Sequence, residues 1–215
     1  MEETKTKIHT VYKTQDGKRV PSVTTILGIL NKPALLQWAW QCGVDGLDYR
    51  TVRDTAGDIG TLAHYMILSH LRKQEPDLSE YSQHNIDLAE NCFLKYLEWE
   101  QEHTIEPLLV EEPLVSELYG FGGTIDCLAK VNEELWLVDH KTGKAIYPEM
   151  AHQLAAYSHL LTEAGYNVAN ARILRIGRDE TIDFEERVFN DMKIHWQIFQ
   201  SCLNIYNLQK VVRKE

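Results

Sequence analysis

Two runs of apolar and β-branched residues lie close together near the middle of the chain, separated by two polar residues. Residues 125–131 and 134–139 each mix aliphatic and β-branched side chains, and Trp136 adds an aromatic ring to the second. Runs of this kind on either side of a short polar spacer are typical of a β-hairpin. We therefore predict two antiparallel strands joined by a turn at Asn132-Glu133.

Turn and capping residues organise the start of the chain. Asp16-Gly17 favours a tight turn in a short hairpin over 11–20. Ser22 is a candidate N-cap for a short helix, and Pro33 suits the first turn of a second helix. We expect the large apolar side chains of that second helix to lie in the core rather than to form a surface for stacking bases: Leu35, Leu36, Trp38 and Trp40.

Helical and extended patterns then alternate. An apolar stripe at helical spacing over 57–71, and another over 80–103, predict two longer helices. A strand starting at 108 runs into Glu111-Glu112-Pro113, where the proline favours an edge strand or a bulge. After the central hairpin we predict a helix from Pro148 to near Gly165, strands at 171–176 and 184–189, and a last helix capped by Asn190 and running through Tyr206. This order predicts an α/β (α+β) fold with a central mixed β-sheet flanked by helices.

Composition agrees with one soluble globular unit. The 215 residues are 44% hydrophobic and 25% charged, which is enough for one sizeable core. We expect a single domain over 1–215, with a mainly helical part over 1–105 and a sheet-containing core over 106–215. No apolar run reaches 18 residues and the first residues lack an apolar signal core, so we expect a cytoplasmic protein.

Charge and cysteine content narrow the classes of function. The net charge of -10 argues against a broad basic surface that coats nucleic acid, although short basic stretches remain at both ends: Lys5, Lys7, Lys13, Lys18 and Arg19, then Lys210, Arg213 and Lys214. We interpret the second stretch as solvated. The four cysteines form no CxxC pair, so we expect buried thiols rather than a zinc or iron-sulfur site: Cys42, Cys92, Cys127 and Cys202.

The predicted hairpin places two carboxylates together. With a two-residue turn, paired residue numbers sum to 265, so Asp126 lies opposite Asp139 with the side chains on one face. Like charges about 5 Å apart repel, and either a raised pKa on one carboxyl or a hard divalent cation relieves that repulsion. Strand alternation puts Lys141 on the same face and turns His140 away, leaving its main-chain carbonyl as a possible ligand. A three-residue loop would break this opposition, and surface strands also contain such Asp-Lys pairs.

Two helices carry further candidates. His64 follows Gly60 by four residues, so a substrate or a metal ion could approach the helix closely at that turn. Gln153 and Tyr157 are also four apart and face the same way. Each of these residues alone is more typical of an ordinary helix face. The other histidines show no ligand spacing: His9, His70, His84, His103, His152, His159 and His195.

Four motifs in this order resemble the PD-(D/E)xK nuclease superfamily, and specifically its RecB-like exonuclease branch. The motifs are Gly60-Thr61-Leu62-Ala63-His64, Gly123-Thr124-Ile125-Asp126, Asp139-His140-Lys141-Thr142 and Gln153-Leu154-Ala155-Ala156-Tyr157. The stretch from Asp126 to Thr142 is also similar to the mitochondrial genome-maintenance exonuclease, and 21–27 is similar to phage or prophage members. The iron-sulfur cysteines and the ATPase P-loop of some relatives are absent, so the resemblance indicates a stand-alone nuclease with a restriction-endonuclease-like core.

The resemblance implies a metal site. Asp126 and Asp139 would coordinate one or two Mg²⁺ or Mn²⁺ ions, together with His64 and the main-chain carbonyl of His140. Glu111 fits the position of an additional acidic ligand, with Glu112 as the rival assignment.

The resemblance also implies roles for the remaining motif residues. Lys141 would orient the attacking water and stabilise the phosphate in the transition state. Gln153 and Tyr157 would support the site and the DNA end, and Thr142 belongs to the same supporting set.

The resulting hypothesis is a metal-dependent DNA exonuclease that acts on single strands or duplex ends in phage or bacterial recombination, replication or repair. Two other hypotheses remain open: a DNA-end-binding protein without catalysis on the same fold, and a metal hydrolase of other phosphate esters. DNA is the expected partner, and a homo-oligomer or a recombination partner protein is conceivable.

Overall fold

The described part of the chain forms six helices and a five-stranded sheet. The computed structural model describes residues 10–178 and 184–213; the basic residues Lys5, Lys7 and Lys214, together with His9, lie outside these ranges. The elements are α1 (Val23–Leu27), α2 (Pro33–Val44), α3 (Tyr49–Leu71), α4 (Gln83–Glu100), β1 (Ile105–Ser116), β2 (Phe121–Val131), β3 (Glu134–Lys141), α5 (Pro148–Glu163), β4 (Asn170–Arg175), β5 (Glu185–Phe189) and α6 (Lys193–Val212).

The sheet is mixed and its strands follow chain order, β1-β2-β3-β4-β5. The β3–β4 pair is parallel and the other three pairs are antiparallel. Parallel neighbours need a crossover connection, which α5 supplies. The prediction of an α/β fold with a central mixed sheet is confirmed, and β1, which contains Pro113, is an edge strand as expected.

Helices cover both faces of the sheet. One core packs α1, α5 and α6 against residues such as Ile125, Leu128 and Leu137. The other packs α3 and α4 against Cys127 and Val138. All four cysteines are free thiols and buried, as predicted. Within the described residues, no helix has the length and apolar character needed to cross a membrane.

Local signals account for most helix boundaries. The Ser22 side chain accepts a hydrogen bond from Thr25 N at the start of α1, and Pro33 begins α2. Two boundaries were predicted wrongly. Helix α3 begins eight residues earlier than the apolar stripe, behind an Asp48 cap, and Asp191 rather than Asn190 accepts from the first main-chain N–H of α6.

The prediction that the large side chains of α2 lie in the core is wrong. Leu35, Leu36 and Trp40 are 52%, 73% and 66% exposed, respectively, and Trp38 is half-buried against the edge of Tyr49. Helical spacing of apolar residues shows that a face can be buried, but not that any element of the chain covers it. In the described structure, most of this face has no cover.

Candidate functional site

The β2–β3 hairpin has the predicted register. Pairs run from Val131 with Glu134 to Cys127 with Val138, so that every pair sums to 265. The turn residues Asn132 and Glu133 have φ values of 49° and 72°, as a two-residue type I′ turn requires. The next position along both strands belongs to Asp126 and Asp139, at the open end of the hairpin.

Strand β2 changes the face it presents at Asp126. Ile125 and Leu128 both belong to the core under α5, although they are three residues apart, whereas Cys127 belongs to the opposite core. Strict alternation would place Ile125 with Cys127. Asp126 lies at this irregularity, and its Oδ2 accepts a 2.8 Å hydrogen bond from the main-chain N–H of His140.

Two imidazoles also approach the Asp126 carboxylate. His64 Nδ1 lies 3.7 Å and His140 Nδ1 3.6 Å from its Oδ2. Burial opposes ionisation of Asp126, but interactions with His64, His140 and Lys141 outweigh it and hold the pKa well below its usual range. Burial lowers the pKa of His64, against the attraction of Asp126. Asp126 is therefore an anionic hydrogen-bond acceptor with the His64 imidazole beside it.

Asp139 and Lys141 form a buried ion pair near the end of β3. Lys141 Nζ lies 2.5 Å from Oδ2 of Asp139, which is 1% exposed. Burial raises the pKa of Asp139 to about 6, with Asp126 adding to the rise and Lys141 opposing it. Burial lowers the pKa of Lys141, but Asp139 and Asp126 outweigh that effect and raise it, so the lysine stays cationic.

These groups border one cavity of about 650 Å³. Its charged and polar wall includes His64, Glu111, Asp126, His140 and Lys141, whereas Asp139 lies beneath that wall. The cavity is also lined by Leu68 and by two tyrosines that belong to none of the sequence motifs, Tyr65 and Tyr81. The structure thus brings two acidic side chains, Glu111 and Asp126, and the Lys141 ammonium to the same opening.

The close approach of α3 to Thr142 explains why a glycine occupies position 60. A Cβ added there would lie 2.6 Å from Oγ1 of Thr142. Gly60 therefore makes room for Thr142, and both residues line the cavity. This contact brings His64, one turn further along α3, over the end of β3.

Gln153 and Tyr157 lie behind the site rather than in it. The Gln153 amide donates a 2.7 Å hydrogen bond to the Tyr157 hydroxyl, and the Tyr157 ring fills the space that a Cβ on Gly123 would need. Tyr157 is 5% exposed. Burial and the charge of Asp139 raise its pKa, so the hydroxyl stays protonated. Its position fits support of the β2 and β3 ends, and leaves little surface for DNA.

The two glutamates of β1 occupy different environments. Glu111 borders the cavity, whereas Glu112 pairs with Ile125 in the β1–β2 ladder. The imidazole of His140 is the main feature that the sequence reasoning missed, because only its carbonyl was considered. It is buried, it faces Tyr96 and His64 edge-on, and no hydrogen bond from the described chain reaches either ring nitrogen.

One buried acceptor of the site fits a cation. Lys141 Nζ contacts Oδ2 of Asp139 at 2.5 Å, and no hydrogen bond from the described residues reaches Oδ1. A buried carboxylate with unused acceptor capacity is costly unless a cation satisfies it. Among the described residues, no group of three or more His, Cys, Asp or Glu side chains is arranged to hold a metal ion; Mg²⁺ usually keeps several of its waters and binds through one or two carboxylates.

A mixed sheet with an Asp…Asp-x-Lys set at the end of its central hairpin defines a nuclease core. A family model of the PD-(D/E)XK nuclease superfamily matches residues 36–210, and this chain belongs to that superfamily. No curated protein sequence matches the chain.

Comparison with solved structures gives matches of low identity and low TM-score. One is a protein from Eubacterium rectale that was assigned as an exonuclease: it is 12% identical, the match covers 72% of this chain and 66% of that one, and the TM-score is 0.46. The alkaline exonuclease LHK-Exo from Laribacter hongkongensis is also 12% identical, with 74% and 92% covered and a TM-score of 0.35. The same exonuclease in complex with dAMP gives 12% identity, 75% and 92% coverage and a TM-score of 0.34.

Proposed function

We propose that this protein is a divalent-metal-dependent DNA exonuclease. The observation that carries the proposal is the buried Asp139–Lys141 ion pair, one register position from the end of the β2–β3 ladder and next to Asp126. Lys141 contacts Oδ2 of Asp139, and no described residue donates a hydrogen bond to the buried Oδ1. A site that binds a cation and a phosphodiester needs both the unsatisfied carboxylate and the adjacent ammonium.

The ligand set that we propose consists of Asp126, Asp139, His64 and the main-chain carbonyl of His140, with Glu111 as a further acid. Together they would hold one or two Mg²⁺ or Mn²⁺ ions. When bound, such ions neutralise phosphodiester charge and lower the pKa of a water molecule. The hydrogen bond from His140 N holds Oδ2 of Asp126, a residue that borders the cavity.

Lys141 would act as a cation and hydrogen-bond donor rather than as a base. Its raised pKa keeps the ammonium protonated at neutral pH, and its Nζ is anchored by Asp139 at the cavity wall. A fixed ammonium stabilises the extra negative charge that develops on a phosphate under attack. Thr142, Gln153 and Tyr157 would hold the backbone that carries this lysine.

DNA, action at strand ends and a biological role are the finer parts of the proposal. Membership of a nuclease superfamily supports a nucleic-acid substrate. The resemblance to RecB-like exonucleases supports digestion from ends of single or double strands. We further propose a role in recombination, replication or repair in the cytoplasm of a bacterial or phage-infected cell, with a second copy or a recombination protein as possible partner.

The test uses 5′- and 3′-labelled single- and double-stranded DNA with purified protein, in Mg²⁺, Mn²⁺ or EDTA. We expect metal-dependent release of nucleotides from an end, and a loss of about 100-fold or more in Lys141→Ala, measured where circular dichroism shows that variant folded. The control is Lys130→Ala, on the same hairpin, whose lysine pairs with Glu133 at the surface; it should cut like the wild type.

Three results would contradict the proposal. DNA binding without turnover in either metal would indicate an end-binding protein. Faster hydrolysis of small phosphate esters than of DNA would indicate a different hydrolase. Full activity of Lys141→Ala would show that the site lies elsewhere.

A further inference from the structure

Glu111 has an unusual backbone conformation for a residue inside a strand. Its φ is +54°, in the left-handed region that costs energy for residues other than glycine. The other described non-glycine residues with positive φ lie just after α3 or in the hairpin turn: Lys73, Asn132 and Glu133. Strain of this kind persists only where the surroundings impose it, and it often occurs at functional sites.

The strain changes which face of β1 meets the cavity. Pairs on both sides of Glu111, Val110 with Cys127 and Glu112 with Ile125, sum to 237. The same sum places Glu111 directly opposite Asp126, at the point where β2 also changes its face. The irregularity therefore places the Glu111 side chain at the cavity that Asp126 borders.

Arg72 makes two contacts that bear on this conformation. Its guanidinium donates a 2.8 Å hydrogen bond to the main-chain carbonyl of Val110 and a 3.1 Å hydrogen bond to Oε2 of Glu111. The Val110 carbonyl belongs to the peptide group immediately before Glu111. One guanidinium thus holds both the peptide plane and the carboxylate of the strained residue, and no described residue donates to the second oxygen, Oε1.

We propose that Arg72 is a positioning residue that holds Glu111 opposite Asp126, so that Oε1 of Glu111 can serve as a ligand of the divalent cation. This inference rests on the metal site of the proposed function. The pair is too exposed for its attraction alone to matter much for stability. Its effect is on geometry, because two donors in a rigid fork fix an orientation that a single point charge does not.

The test measures Mn²⁺ binding to the full chain without DNA, by counting free Mn²⁺ with electron paramagnetic resonance. We expect Glu111→Gln to weaken binding, and Arg72→Ala to weaken it on the order of tenfold, as loss of a supporting contact to a ligand does. Arg72→Lys should recover only part of the loss. The double variant should bind no worse than Glu111→Gln alone, since Arg72 acts through that carboxylate. The matched control is Arg53→Ala on α3, the helix that Arg72 directly follows; Arg53 pairs with Asp54.

A merely structural ion pair gives a different pattern. Arg72→Ala would then lower the melting temperature and leave Mn²⁺ affinity unchanged, or its effect would add to that of Glu111→Gln, and either result overturns the inference. Failure of the proposed function is separate. If the wild type and the variants bind Mn²⁺ with the predicted order of affinities but the wild type does not cut DNA, the nuclease proposal is refuted and the positioning role of Arg72 is retained. If the wild type does not bind Mn²⁺, the positioning role of Arg72 is refuted.

Discussion

The main-chain N–H of His140 donates a 2.8 Å hydrogen bond to Oδ2 of Asp126, across the open end of the β2–β3 hairpin. The bond lies where the regular ladder ends at Cys127 and Val138. At this last position of the ladder, the Asp126 side chain thus takes the place of a main-chain carbonyl as the hydrogen-bond acceptor. The same carboxylate that would bind a cation also joins the ends of the two strands.

This double role predicts different effects for two substitutions of Asp126. Asp126→Asn keeps an oxygen that can accept from His140 N but loses the negative charge, so we expect a smaller loss of stability than in Asp126→Ala, together with loss of metal-dependent hydrolysis. Asp126→Ala removes the acceptor as well and should also lower the free energy of unfolding by about 1–3 kcal/mol. Urea denaturation and the nuclease assay measure the two effects. Equal destabilisation by both variants would show that the hydrogen bond does not matter.

The buried pair of Asp139 and Lys141 predicts a pH-dependent loss of stability. The folded-state pKa of Asp139 is raised from 3.8 to about 6, so its contribution to stability is full below pH 3.8 and is lost as pH rises through about 6. Lys141→Ala removes the neighbouring cation and so raises the pKa of Asp139 further. At a pH above that value, Asp139 is a buried carboxylate without a partner charge. We expect Lys141→Ala to lower the free energy of unfolding by about 3 kcal/mol at pH 8 and by much less at pH 5. Denaturation of the metal-free protein measures both values.

A second substitution checks the cause of that loss. Lys141→Ala combined with Asp139→Asn removes the buried charge, so the double variant should regain stability at pH 8. A destabilisation of Lys141→Ala that is equal at pH 5 and pH 8 would mean that lost packing, and not the carboxylate, is responsible.

Two glycines of α3 form a matched pair. A Cβ on Gly57 meets nothing within 4 Å, whereas one on Gly60 meets Thr142 Oγ1 at 2.6 Å. Gly57→Ala should stabilise the protein by about 0.5–1 kcal/mol through helix propensity. Gly60→Ala should not show this stabilisation, because the added methyl group pushes α3 away from Thr142. The same movement displaces His64 and should weaken Mn²⁺ binding. Calorimetry and metal titration compare them, and identical behaviour would exclude a role for this contact.

A histidine pair between α5 and α6 predicts acid sensitivity. His152 Nδ1 lies 3.1 Å from His195 Nδ1, and burial, followed by the charge of His195, lowers the pKa of His152. Since the neutral form is favoured in the folded state, its stabilising effect is complete above pH 6.5 and is lost as pH falls through the lowered value. The melting temperature should therefore fall between pH 7.5 and 5.5, and fall less in His152→Gln. An equal fall in both proteins would assign the sensitivity to other groups.

Much of the fold could be predicted from local sequence. Caps and turns such as Ser22, Pro33 and Asn132-Glu133 act within a few residues, so the order of helices and strands followed from them. The two-residue turn also determined the register of the hairpin, and alternation then put Lys141 beside Asp139. This core of the candidate site needed no information from distant parts of the chain.

The rest depended on contacts between residues far apart in the chain, which only the tertiary structure decided. Periodicity could not show that α2 lacks a cover, since a partner surface is not encoded in the helix itself. Arg72 and Glu111 are 39 residues apart, and Gly60 meets Thr142 only because α3 packs on the sheet. The sequence by itself determined which residues carry the chemistry and the local pairing of two of them. Long-range packing decided which face β2 presents at Asp126, which glutamate borders the cavity, and how close His64 comes.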